Sequence, residues 1–62
     1  MEKWLFDFDE FMGKEVVLSS FSGDSVYGTF SDWGDDWVEI TQKDGNIINV
    51  PVEPIRNIRI IG

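Results

Sequence analysis

From Lys14 onward, apolar residues alternate with polar ones, and turn-forming residues interrupt the alternation at short intervals. Alternation with a period of two is the pattern of a strand with one buried face, and closely spaced turns favour a small all-β fold. Turns are predicted at FSGDS, WGDDW, QKDGN and PVEP. Because Pro51 and Pro54 cannot donate to a sheet ladder, VPVEP is predicted to be a corner outside the strands. The pattern therefore predicts five strands.

The amino-terminal segment has a different period. Its apolar residues recur at i, i+1, i+4, i+7 and i+8, namely Trp4, Leu5, Phe8, Phe11 and Met12. This spacing is one face of an α-helix, and Gly13 is a typical residue for its end. A helix this short frays alone, so its aromatic stripe is expected to pack on the strands. We predict one domain over residues 1–62, with an α-helix over 1–12 and a five-stranded part over 14–61.

Alternating parity predicts the inward face of the strands. The apolar residues with this parity are Val16, Leu18, Val26, Phe30, Val38, Ile40, Ile48, Val50, Ile58 and Ile60. Gly28 interrupts the second strand, and a glycine there permits a sharp bend by which one strand serves both sides of a closing sheet. The predicted fold class is therefore a small, strongly bent, antiparallel barrel of five strands.

The chain of 62 residues has no cysteine and no histidine. A domain of this size buries only about 60% of the surface of its unfolded chain. Small domains compensate with disulfides, metals or association, and association is the remedy that this composition leaves. Without thiol or imidazole groups, only Ser with Lys or Asp remains as a nucleophile and base, and the serines lie on predicted strands and turns where polar residues are ordinary. We therefore expect no enzymatic activity and no cofactor.

The remaining composition bears on location and partners. No apolar run approaches the roughly 20 residues that cross a bilayer, and the acidic first residues are unlike a signal sequence, so we expect a cytoplasmic protein without membrane contact. Five basic and 12 acidic residues give a net charge of −7. Such a charge repels phosphates and disfavours nucleic acid. Alternatively, the excess of acid keeps an associating protein soluble or suits a salty environment.

The order and spacing of these segments resemble the Sm and Sm-like (LSm, Hfq) family over nearly the whole chain. MGKEVVL resembles the family's GK-x-V-x-V opening, and SGDSVYGTF is similar to its glycine turn followed by G-x-L. WVEI, KDGN and INVPVEPIRNIRI correspond to the third strand, the next hairpin and the closing segment. The resemblance implies an Sm-like barrel with an amino-terminal helix. The alternative is an SH3-like barrel, which gives no reason for the leading helix.

The resemblance also implies a homo-oligomeric ring, in which the fourth strand of one subunit pairs with the fifth strand of its neighbour. NIINV and IRNIRII are rich in β-branched residues, and either would be a template for unwanted pairing as a free edge. Ile47, Ile55 and Ile61 lack the inward parity, so a partner chain would cover them; alternatively the helix stripe covers them within one monomer. The predicted interface residues are Ile47, Ile48, Val50, Ile58, Arg59, Ile60 and Ile61.

In the resembled family, single-stranded RNA lies against an aspartate and an asparagine between strands two and three, and against a basic pair between strands four and five. Asp35 matches the aspartate, no asparagine follows it, and Trp37 stands close to that place. Val52 and Glu53 stand where the basic pair is expected. The resemblance therefore names Trp33, Asp35 and Trp37 as candidate nucleic-acid residues, while the acidic substitution argues against that function.

The segment SDWGDDWVEI allows several interpretations. Trp33 and Trp37 could stack on bases, a contact worth about 1 to 3 kcal/mol per base, or contact a protein partner. If residues 34–36 form a three-residue loop, the two tryptophans instead face each other across a hairpin, which stabilises it by about 0.2 to 1 kcal/mol. The segment lacks the acid spacing of a calcium loop, and catalytic carboxylates need a cleft that shifts their pKa. Neither a metal site nor catalysis is expected.

Two functions remain open at this stage. The first is a binding or scaffold ring for a protein partner, which the net charge and Glu53 favour. The second is divergent binding of single-stranded RNA, in the manner of an RNA chaperone, which the tryptophans and the resemblance favour. Arg56 and Arg59, three residues apart on the last strand, are predicted on opposite faces and are expected to pair with acidic residues of a neighbouring subunit.

Overall fold

A computed structural model describes residues 7–62, which form a 3-10 helix followed by one antiparallel sheet of five strands. The 3-10 helix spans Phe8–Phe11, and the strands are β1 (Glu15–Ser20), β2 (Ser25–Trp33), β3 (Trp37–Thr41), β4 (Ile47–Pro51) and β5 (Ile55–Ile60). The predicted all-β class and the number of strands are confirmed for this part of the chain. The four predicted turn segments connect these strands.

The strand order in the sheet is β4-β3-β2-β1-β5. Neighbouring strands are antiparallel throughout, and β1, β2 and β3 each have a hydrogen-bonded strand on both sides. β4 and β5 are the two edges and are not paired with each other within residues 7–62. The two edge strands nevertheless pack on the same apolar cluster, since Val50 of β4 and Ile58 of β5 both contact it. The sheet is therefore bent around one core.

The predicted α-helix over residues 1–12 is wrong where the structure describes it. Residues 1–6 lie outside the described residues, and Phe8–Phe11 form a 3-10 helix. Because a 3-10 helix has three residues per turn, Phe8 and Phe11 lie on the same side. Both rings contact Phe30, each with a centroid separation of 5.8 Å. The Gly13 N–H then donates to the Phe30 carbonyl (2.8 Å), which turns the chain directly into the sheet.

The core follows the predicted parity at most positions. The predicted residues that are buried are Val16, Leu18, Phe30, Val38, Ile40 and Ile58, and those that are partly buried against them are Val26, Ile48 and Val50. The prediction that Ile60 faces inward is wrong, because its side chain is 46% exposed near the end of edge strand β5. Val17 is buried on the opposite face, where it is flanked by Tyr27 and Arg59 across the two neighbouring strands.

A change of register in β5 explains why Ile55 is buried although its parity predicts the outward face. Ser19 is opposite Asn57, whereas the next residue, Ser20, is opposite Ile55, so β5 has one extra residue at this point. Such a bulge shifts the strand by one residue and exchanges its faces. Ile55 is consequently buried in the core. The expectation that Ile55 needs a partner chain to cover it is wrong.

Gly28 lies where two strands approach closely. A Cβ atom at this position would lie 2.5 Å from Cγ2 of Ile40 and 2.7 Å from the carbonyl oxygen of Thr41, both on β3. No side chain fits there without moving the β3 backbone. A register shift between Phe30 and Asp32 follows in the same strand, and bulges of this kind increase local bending.

The predicted non-strand corner begins later than expected, because Val50 and Pro51 belong to β4. The corner itself is Val52–Pro54, closed by the Ile55 N–H donating to the Val52 carbonyl (2.9 Å). Pro51 is tolerated at the end of β4 because β4 is an edge strand, and an edge position facing away from the sheet needs no donor.

Candidate functional site

The tip of the β2–β3 hairpin carries the residues predicted to contact nucleic acid. The Gly34 N–H donates to the Trp37 carbonyl (2.8 Å), and Trp33 is opposite Val38. The loop therefore consists of Asp35 and Asp36, and the predicted three-residue loop with facing tryptophans is wrong by one residue. The cause is Gly34: a Cβ atom there would overlap the Trp37 indole, so that ring lies directly on the glycine backbone.

The two tryptophans of the hairpin have different environments. The Trp33 ring is half-buried and contacts Phe8, with a centroid separation of 5.4 Å and an interplanar angle of 50°. Phe8 in turn contacts Phe30, so Trp33 connects the hairpin to the core. Trp37 is 36% exposed. Of the two rings, Trp37 has the more accessible surface for a partner, while Trp33 serves packing.

The corner between β4 and β5 lies beside this hairpin tip. The Val52 N–H donates to the Asp36 carbonyl (2.9 Å), and Trp37 is opposite Pro51. The structure thus brings together the two loops that the sequence resemblance singled out. The Val52 side chain is buried in the core cluster, whereas Glu53 is exposed.

The surface of this tip is acidic. Asp32, Asp35, Asp36 and Glu53 are all exposed. The Asp32 carboxylate accepts a hydrogen bond from the Trp33 N–H (2.8 Å), and none of the four carboxylates pairs with a basic residue among residues 7–62. An uncompensated cluster of this sign repels the phosphate backbone of a nucleic acid.

The edge strand β4 presents backbone groups that face away from the sheet and an exposed apolar side chain. Two hydrogen bonds, one just before and one just after β4, establish which of its N–H groups bond to β3. The Gln42 N–H donates to the Asn46 carbonyl (2.7 Å), and the Val52 N–H donates to the Asp36 carbonyl (2.9 Å). Since antiparallel bonding alternates, the N–H groups of Ile48 and Val50 face β3. Those of Ile47 and Asn49 face away from the sheet. The Ile47 side chain is 60% exposed.

The edge strand β5 has the same character. The Ile61 N–H donates to the Glu15 carbonyl (2.9 Å), so by the same alternation the N–H groups of Ile58 and Ile60 face away from β1. Ile60 and Ile61 are 46% and 47% exposed. The predicted interface residue Ile58 has a buried side chain, and therefore offers only its backbone at this edge.

The two edges differ in charge. Arg56 and Arg59 on β5 are exposed, and neither forms an ion pair within residues 7–62. On the other side of the sheet, Glu39 of β3 is opposite Asn49 of β4, and Asp32 of β2 is opposite Glu39. One edge is therefore basic, and the surface beside the other edge is acidic.

A cavity of about 240 Å³ lies between residues of β1, β2, β4 and β5. Its walls include Leu18, Val26, Val50 and Ile55. No sequence pattern predicts this cavity, because its walls come from segments distant in the chain. The local signal beside it is Phe21, an exposed aromatic residue within the polar turn SSFSGDS.

Two other kinds of feature are not found in the described part of the chain. No three His, Cys, Asp or Glu side chains between residues 7 and 62 converge in a way that would hold a metal ion. In the same residues no helix has the length and apolar character needed to span a membrane.

Comparison with known proteins identifies no relative: the chain matches no protein-family model, no curated protein and no solved structure.

Proposed function

We propose that this chain is a divergent Sm-like protein that assembles through its two edge strands into a homo-oligomeric ring. The ring acts as a binding or scaffold module for a protein partner and has no enzymatic activity. The observation that carries the proposal is the placement of β4 and β5 at opposite edges of one sheet, each with N–H groups directed outward. Pairing of the fourth strand with a neighbour's fifth strand requires this arrangement.

Exposed apolar side chains at the edges support association. Ile47 on β4 and Ile60 and Ile61 at the end of β5 are large, apolar and accessible to solvent. An unpaired edge with such residues is a template for another chain. A neighbour's edge strand would satisfy the outward N–H groups and bury the isoleucines together. Association would also add stability to a chain too short to form a large core.

Charge determines which edges meet. Pairing β5 with a second β5 would bring Arg56 and Arg59 close to the same arginines of the other chain. Pairing β5 with β4 brings the arginines toward Glu39 on β3, the strand next to β4, and toward Asp32, which is opposite Glu39 one strand further on. Unlike edges attract and like edges repel, so the contact is head-to-tail. A repeated head-to-tail contact closes into a ring when its rotation allows closure.

The acidic tip favours a protein partner over RNA. The hairpin tip and the adjacent corner carry four exposed carboxylates, and a ring would repeat them in every subunit. Phosphate binding depends on Lys and Arg side chains that neutralise the backbone, and residues 31–40 and 51–54, which form the tip and the adjacent corner, include none. A basic segment of a protein suits this surface better.

The alternative function is divergent binding of single-stranded RNA, and the observation in its favour is the accessible face of Trp37. Titration with oligouridylate and oligoadenylate at low salt, followed by tryptophan fluorescence, separates the two functions. A protein-binding ring leaves the fluorescence unchanged, whereas quenching that weakens steeply with added salt would support the RNA alternative.

Assembly is tested by native mass spectrometry and light scattering at micromolar concentration. A single chain has a mass of 7.1 kDa, and we expect a multiple of it. Asn49→Pro removes an outward N–H from β4 while leaving the bonds to β3, so this variant should lose the assembly. Asn49→Ala, which keeps the N–H, is the matched control and should retain it. A wild-type mass of one chain, or an unchanged mass for Asn49→Pro, would contradict the proposal.

A further inference from the structure

The cavity between the edge strands has an apolar floor and a polar rim. Leu18, Val26, Val50 and Ile55 form the floor, and they belong to four different strands. The remaining lining residues are mostly polar and form the rim, namely Ser19, Ser20, Ser22, Asp24 and Pro54. The cavity opens beside the β1–β2 turn, where the Phe21 side chain is 74% exposed between two of the rim serines.

The size of the cavity restricts its occupant. Its volume is about 240 Å³, below the roughly 300 to 1,000 Å³ of pockets that hold drug-sized ligands. A cofactor or nucleotide would not fit inside it. A single large aliphatic side chain would fit, and it would be surrounded by Leu, Val and Ile groups that it can contact on several sides.

The rim is held in place by local hydrogen bonds. The hydroxyl oxygens of Ser20 and Ser22 are 2.7 Å apart, the Ser22 hydroxyl donates to the Asp24 carboxylate (3.2 Å), and the Asp24 N–H donates to the Ser20 hydroxyl (3.2 Å). The Phe21 N–H donates to the Pro54 carbonyl (3.0 Å), which ties this turn to the corner before β5. The Asp24 carboxylate is therefore fixed at the mouth of the cavity.

We infer that this cavity is the docking point for a protein segment that presents one apolar side chain next to a lysine or arginine. The apolar side chain enters the cavity and the cation lies near Asp24. Charge complementarity supports this choice of partner: among residues 7–62, Asp24 is the one charged residue that lines the cavity, and the whole chain has a net charge of −7. The inference rests on the proposed binding function and specifies the chemistry of its partner.

The test uses peptide probes and amide chemical shifts of the ¹⁵N-labelled protein in its native assembly state. The probe is the acetylated, amidated heptapeptide Gly-Ser-Lys-Leu-Lys-Ser-Gly. We expect it to shift the amide signals of Ser20, Ser22 and Val26. One comparison peptide replaces leucine by serine. Its affinity should be lower by about tenfold or more, because the buried side chain is lost. A second comparison peptide replaces both lysines by glutamate and should not bind.

Variants of the protein separate the two halves of the recognition. Asp24→Asn should weaken binding of the lysine peptide about two- to fivefold, the range of an exposed ion pair. Asp44→Asn is the matched control, since Asp44 also accepts turn hydrogen bonds, from Asn46 (3.0 Å), but lies in the β3–β4 turn. Val50→Phe should fill the cavity and abolish binding. The surface variant Asp24→Asn keeps the test decisive if the Val50 variant does not fold.

Each outcome has a distinct meaning. Equal binding of all three peptides, shifts confined to other residues, or equal effects of Asp24→Asn and Asp44→Asn would overturn the inference. Peptide binding by Asn49→Pro but not by the assembled wild type would show that a second copy fills the cavity, which also overturns it. The mass of each sample is measured in parallel. An assembled protein that ignores the peptides refutes this inference alone, whereas a monomer that binds them refutes only the ring.

Discussion

Ile40 in the middle of the sheet is fully buried, whereas Ile47 at its edge is 60% exposed. Ile40 lies on β3, which is bonded to β2 and β4, and its side chain faces the core shared by both halves of the bent sheet. Ile47 lies on β4, which has a bonded neighbour on one side only. The same residue type is thus covered or uncovered according to its place in the sheet order.

This contrast separates two kinds of stabilisation. The central strands owe their stability to contacts within one chain, including the aromatic contacts of Phe8 and Phe11 with Phe30. Within residues 7–62, the edge strands have N–H groups that face away from the sheet and isoleucines that are exposed, and a second chain could cover both. Substitutions in the centre should therefore change folding, and substitutions at the edges should change association.

The largest effect is expected for Phe30→Ala. Phe30 is fully buried, and truncating a buried phenylalanine costs about 3 to 5 kcal/mol. A small domain has little stability to spare, so this variant should be largely unfolded in a urea titration followed by circular dichroism. Phe21→Ala removes the same ring from an exposed turn and should change the free energy of unfolding by less than about 0.5 kcal/mol. Similar effects of the two variants would contradict the distinction.

Gly28→Ala is expected to come next. Its Cβ atom would overlap Ile40 and the Thr41 backbone, and overpacking of this kind costs about 1 to 3 kcal/mol. The shift in urea midpoint measures it. The neighbouring Thr29→Ala is the control, because Thr29 is exposed on the same strand, and it should cost less than about 1 kcal/mol. A Gly28 variant as stable as the control would show that β2 and β3 do not approach closely.

Reversing the charge of the β5 edge should change association without changing folding. The double variant Arg56→Glu, Arg59→Glu replaces attraction toward a neighbour's acidic surface by repulsion. Exposed ion pairs contribute about 0 to 1 kcal/mol each, so loss of two pairs should weaken assembly by up to about thirtyfold per interface. Light scattering over a dilution series measures this, with Lys43→Glu in the β3–β4 turn as the control. Restoration by the second pair of reversals, Asp32→Lys and Glu39→Lys, would confirm the head-to-tail contact; equal weakening by Lys43→Glu would refute it.

The smallest effect is expected at the hairpin tip. Trp37→Phe should change the free energy of unfolding by less than about 0.5 kcal/mol, because the ring lies at the surface on Gly34. Trp33→Phe should cost more, since Trp33 packs on Phe8. Urea titrations of both variants compare them directly. A larger loss for Trp37 would mean that the exposed ring, and not the packed one, braces the hairpin.

Much of the fold is readable from local pattern. Alternation and turn residues predict five strands, and parity predicts that Val16, Phe30 and Val38 are buried, as they are. Such features are local, because a strand's faces alternate residue by residue and a turn depends on a few neighbouring residues. The site was predicted less well: Asp35 lies at the hairpin tip as expected, but the loop is one residue shorter than predicted because Trp37 lies on Gly34.

The sequence by itself determined the class of fold, the turns and most inward-facing residues, since these depend on contacts between near neighbours in the chain. Only the tertiary structure decided the sheet order, the bulge opposite Ser19 and Ser20 that buries Ile55, and the cavity between β4 and β5. Each of these depends on how distant segments pair. A shift of one residue in that pairing exchanges the faces of a strand while leaving its sequence pattern unchanged.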